Sequence, residues 1–123
     1  MRSRRRFLPY VLLVGVLVSC AASQRESTIK AALVTADATR DAFLAYDSDQ
    51  QTAIVAKATS LDDGRAQLAA YRARRAKVQD ALDVTYRAIA VAVTLNDVRS
   101  LETLQAALGQ VTAALADLKG AKP

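Results

Sequence analysis

The chain has 123 residues, 52% of them hydrophobic, with 17 Lys and Arg against 12 Asp and Glu, one Cys and no His or Trp. A disulfide within the chain is therefore impossible, sites built on imidazole or several thiolates have no ligands, and nucleophile–His catalytic pairs are excluded. The net charge of +5 is uneven: without Arg2, Arg4, Arg5 and Arg6 the remainder carries 13 basic and 12 acidic residues, so the basic balance gives no argument for nucleic acid as a partner.

The first element is Met1 to Cys20. After the four arginines, Phe7 to Val18 forms an apolar run. It falls short of the roughly 20 residues that span a bilayer, and with its basic start it reads as a secretory signal. The run closes on Leu17-Val18-Ser19-Cys20. This quartet resembles the lipobox of bacterial lipoproteins: an aliphatic residue, a small or aliphatic one, then Gly, Ala or Ser, then Cys. The resemblance covers only this segment. It implies that residues 1–19 are removed and that Cys20 becomes the lipidated first residue. Each acyl CH₂ buried in the membrane contributes about 0.8 kcal/mol, so several chains anchor firmly. That covalent lipid is the one non-protein group expected; no metal and no other cofactor are. Ala21, standing where an Asp favours retention in the inner membrane, implies the outer membrane, facing the periplasm. Ser3-Arg4-Arg5-Arg6-Phe7-Leu8 also resembles the twin-arginine export motif, with Pro9 where Lys is usual. Export by that route and by the ordinary one both stay open.

Cys20 to Gln24 form a short tether, and residues 25–123 form one small domain. Proline occurs only at Pro9 and Pro123, and the interior is rich in Ala, Leu, Arg and Gln, which favour helix. The expectation is an all-α, antiparallel, up-down-up three-helix bundle, coiled-coil-like, with a shorter third helix. The first helix, about 25–59, carries a stripe of Ile29, Leu33, Ala36, Phe43 and Ile54. Ser48-Asp49-Gln50-Gln51 has the spacing of a capping box and is the one place where this helix could break. The second, about 63–95, carries Leu68, Tyr71, Val78, Leu82, Tyr86, Ile89 and Val93. Ser60 to Gly64 supply its start. The third, about 97–119, carries Leu101, Leu104, Leu108, Val111, Leu115 and Leu118, a heptad seam. Asn96-Asp97 supply its cap, and Gly109 is a point where another helix could approach closely.

Short loops set neighbouring helices antiparallel and fix a register. Asp47 then faces Arg75, and Arg40 faces Asp83, as ion pairs at seam positions. Arg72, Arg74, Arg75 and Lys77, beside Tyr71, invite a reading as an anion-binding patch for an anionic envelope polymer or lipopolysaccharide, but Arg74 and Lys77 turn away from the core and an ordinary solvated face is the leading reading. Asp37 and Asp41 share a face, without the cleft that acid–base work needs. The third helix ends near Arg75. Residues 48–74 then form an uncovered two-helix tip, in which Ile54, Val55, Leu61, Leu68 and Tyr71 are candidate partner contacts.

The functional expectation is a membrane-anchored, periplasmic-side helical lipoprotein. It would act as a non-enzymatic interaction or structural module of the cell envelope, with a protein partner or with itself through its helices. A prophage-type or lysis-accessory lipoprotein is one rival reading. A small-ligand carrier using the bundle interior is another, which the many alanines disfavour by leaving little room.

Overall fold

The computed structural model describes the backbone of residues 4–120 and the side chains of residues 23–120. Three helices account for nearly all of it: α1 (Arg4–Lys57), α2 (Leu61–Leu95) and α3 (Val98–Gly120). Each helix packs on both others, so the fold is an all-α three-helix bundle. Arg25 bonds Asn96, Tyr86 bonds Asp37, and Arg75 bonds Asp47. Partner numbers rise along α1 as they fall along α2, which makes this pair antiparallel. Tyr46 and Leu118 meet near the far end of α3, which runs alongside α1 in the same direction.

The turns follow from local chemistry. Ser60 is extended (φ −153°, ψ 169°) and its hydroxyl accepts from the Asp63 N–H at 3.1 Å, capping α2. The Asp63 carboxylate accepts in return from the Thr59 N–H at 3.0 Å. Gly64 is buried against the turn, where a Cβ would stand 3.2 Å from that of Ala58. α2 ends on Asn96 in the left-handed region at φ 47°, a conformation that Asn tolerates better than most residues. Asp97 then caps α3, accepting from the Ser100 N–H at 2.7 Å.

Two apolar clusters make the core. At the base, Ile29, Ala32 and Ala36 meet Ala88, Ile89, Ala92, Leu104 and Ala107. Farther out, Phe43 meets Tyr71, Val78, Leu82, Val111, Leu115 and Leu118. The helix faces differ in detail from the sequence pattern. Leu33 is 41% exposed and Val93 61%, while Ala32 and Ala92 occupy the seam instead. Leu101 and Leu108 flank the core, with Ser100, Thr85 and Ala107 buried between helices. A close seam selects the small residue one position away, because packing two backbones tightly gains more than seating a larger side chain. The Thr85 hydroxyl is satisfied there by the Ala81 carbonyl at 2.8 Å.

Three further expectations need correction. Residues 20–24 are part of α1 rather than a loose tether. As its expected span required, α1 runs unbroken through residues 48–51, where Gln51 donates to the Asp47 carboxylate at 3.0 Å instead of closing a capping box. No atom of another element lies within 4 Å of a Cβ built on Gly109, so that glycine serves no close approach. α2 begins two residues earlier than its expected start, at Leu61. The side chain of Cys20 and the rest of the signal segment lie outside the described side chains.

Candidate functional site

α3 stops while α1 and α2 continue. Among the described residues the pair is open beyond Leu118 on the face that α3 covers lower down, and the step forms a groove of about 440 Å³. Its apolar lining comes from Ala53 and Ile54 of α1, Ala70 and Tyr71 of α2, and Leu118 of α3. Gln50, Lys57, Gln67 and Arg74 supply its polar lining, and Tyr46 lies at the lower end. Tyr46 is held there by its hydroxyl, which donates to the Leu118 carbonyl at 3.4 Å, and by Lys119, whose ammonium sits 5.8 Å from the ring centroid.

A polar cluster borders the groove. Arg75 donates to both oxygens of Asp47, at 2.9 and 2.8 Å, and the two side chains are 21% and 14% exposed. Burial pushes the Asp47 carboxyl up, but hydrogen bonds from Arg75 and Gln51, the nearby Tyr71 hydroxyl and the guanidinium charge together outweigh it, so its pKa lies below the ordinary value. Tyr71 is 2% exposed, and its hydroxyl has no hydrogen-bond partner among the described residues. Burial raises its pKa far above that of a free phenol. The Asp47 carboxylate is near enough to add to that rise without meeting the phenol in hydrogen-bond geometry. The Nε of Arg74 is also buried and unpartnered.

The expected site residues separate into three groups. Asp47 and Arg75 form the ion pair that the register required. Arg40 does not reach Asp83, which is exposed; it lies 3.8 Å from Asp37 and 3.7 Å from Asp41, over the ring of Tyr86 at 5.9 Å. Tyr86 lies one helical turn past Asp83. Its ring takes the space beside Arg40, and its hydroxyl donates to Asp37 at 2.5 Å. Among the candidate contacts, Val55 and Leu61 are 63% and 70% exposed, and Leu68 is half-buried. Ile54 lines the groove. Tyr71 does so from the core, too deeply buried to be a surface contact.

Lys57, Gln50 and Gln67 belong to the groove and were not anticipated, and Arg74, read chiefly as part of a solvated face, belongs to it too. Their spacing did carry a signal: Gln67, Ala70, Tyr71 and Arg74 follow at three and four residues, as do Gln50, Ala53, Ile54 and Lys57. Among the described residues no three His, Cys, Asp or Glu side chains come together as a metal site, and no helix is long and apolar enough to cross a membrane. No protein-family model matches the chain, and no curated protein or solved structure is significantly similar to it.

Proposed function

We propose that this chain is a lipid-anchored, non-enzymatic interaction or structural module of the bacterial cell envelope. Cys20 holds it to the outer membrane, and the bundle faces the periplasm. The observation that carries the reading is the polarity of the bundle. The base, where Arg25 bonds Asn96, lies five residues from Cys20, and the uncovered tip lies at the opposite end. An anchored module needs its contact surface away from the membrane, and Val55 and Leu61 stand exposed there.

Cell fractionation with mass analysis of the mature N-terminus tests the anchor. The expected result is an acylated chain beginning at Cys20 in the outer-membrane fraction, with Cys20→Ser losing the acyl groups. A Cys20→Ser chain that fractionates as the parent does, or a parent without acyl groups, overturns it. Photo-crosslinkers at Val55 and Leu61, compared with one at Thr103 near the base, test the tip. Adducts confined to the tip positions support a distal contact surface, whereas equal capture at Thr103 counts against it.

A further inference from the structure

The groove at the step combines three observations. It has an apolar lining, from Ile54, Leu118, Ala53 and Ala70. It has two cations, Lys57 and Arg74, and no acidic lining residue; among the described residues no carboxylate lies within ion-pair distance of either. It also borders a buried polar atom without a partner, the Arg74 Nε, whereas the Tyr71 hydroxyl lies beside the Asp47 carboxylate. Buried polar groups in folded proteins are almost always satisfied, and leaving one unpaired costs stability. Lysine and arginine can only donate, and the lining offers neutral glutamine and tyrosine oxygens but no carboxylate, so a charged acceptor is what it lacks. The missing component is an acceptor with negative charge joined to an apolar body.

We propose that the groove binds a single-chain amphiphile with an anionic headgroup, a carboxylate or a phosphate. The head sets against Arg74 and Lys57, and the chain lies along Ile54 and Leu118. Charge-assisted hydrogen bonds to Arg and Lys are about twice as strong as neutral ones, which makes the head the determinant of affinity. The volume of about 440 Å³ is that of a small-molecule site. Along α1 the groove runs from Tyr46 to Lys57, a span of roughly 16 Å at 1.5 Å per residue, which gives a short chain room to extend. A carrier using the bundle interior is a different arrangement: here the ligand sits where the third helix ends, so the alanine-rich seam does not limit it. This inference does not depend on how the chain is anchored.

The chain's isoleucines are Ile29, Ile54 and Ile89. Ile54 lines the groove, and the other two lie in the base cluster as internal references. The experiment is methyl NMR of the full chain in phosphatidylcholine nanodiscs, titrated with octanoate, octyl phosphate and octyltrimethylammonium. The expected result is a saturable shift at Ile54 with one or both anions, little change at Ile29 and Ile89, and no comparable shift with the cation. Lys57→Gln with Arg74→Gln should weaken anion binding about tenfold or more. Equal shifts with the cation reduce the groove to a nonspecific apolar surface and overturn the proposal. So do shifts spread over all three isoleucines, or a doubly substituted, still helical chain that binds as the parent does. An acidic amphipathic helical peptide that shifts Ile54 when neither anion does assigns the groove to a partner helix instead and likewise overturns it.

Discussion

At the residue scale the bundle depends on how charge is handled where α3 runs out. Arg75 and Asp47 are both mostly shielded from water, and a buried pair is costly to break because the surviving charge is left alone. Asp47→Leu is expected to lower unfolding free energy by about 3 kcal/mol, and Asp47→Leu with Arg75→Leu to recover most of that loss. Chemical denaturation of the parent and the two variants checks it; a double variant no more stable than the single one would sink the pairing. The pH dependence follows from the same contacts. The folded-state pKa of Asp47 lies below its ordinary value of 3.8, so its contribution is complete above that value and is lost as pH falls through the folded-state pKa. Melting temperatures between about pH 5 and pH 2 should therefore fall more steeply for the parent than for Asp47→Asn. Tyr71 gives the opposite kind of prediction. Its hydroxyl is buried without a partner, so Tyr71→Phe should raise the stability of the ligand-free chain by about 1 kcal/mol. A loss of stability in the same denaturation assay would mean that the hydroxyl is bonded to Asp47 after all.

At the element scale, caps and helix interiors act separately. Ser60→Ala removes the side-chain acceptor for the Asp63 N–H and should cost about 1 kcal/mol. Gly109 touches nothing and has no positive φ that would demand glycine, so Gly109→Ala should add about 1 kcal/mol from helix propensity alone. Thermal melts of the two variants should shift in opposite directions. These elements also mark how far the sequence could be read. Three helices, their order and both caps were legible, because apolar spacing and turn residues act locally. The facing of each helix was legible only to within about one residue. Alanine occurs on every side of α1 and α2, so it gives no contrast, and close packing placed Ala32, Ala92 and Ala107 where Leu33, Val93 and Leu108 were expected. Asp47 with Arg75 was legible because the turn between α1 and α2 is short and fixes their register nearby. Arg40 with Asp83 was not, since an intervening aromatic ring, Tyr86, decided the local contact. The groove was half legible. Its position follows from the unequal helix lengths, whereas Arg74 was assigned to solvent on an angle that treats the core as one narrow stripe. Where the third helix is absent, the apolar face of the α1–α2 pair widens enough to include it.

At the scale of the whole molecule, stability should grade along the bundle axis. The middle section is three helices thick around Phe43, Val78 and Val111, with exposures of 2%, 0% and 0%. The base is equally thick but is packed with alanines, each of which removes less apolar area from water than a Leu or Val would. The tip has only two helices, so its backbone hydrogen bonds are guarded from water on fewer sides. Local openings expose the least apolar surface where packing is thinnest, and these are the openings with the lowest free energy. Amides of residues 50–70 should therefore exchange with solvent at least about tenfold faster than those of residues 78–89, excluding the first turn of α2, whose N–H groups lack helical partners. Hydrogen exchange read by mass spectrometry or NMR checks this directly. The same measurement tests the coupling between tip and groove. A ligand that binds only the closed tip suppresses its opening by mass action, so a bound anionic amphiphile should slow exchange across residues 50–70 and leave residues 78–89 nearly unchanged. If the tip is already as protected as the middle section without ligand, two helices suffice to hold it, and the unpartnered polar atoms there impose no measurable cost.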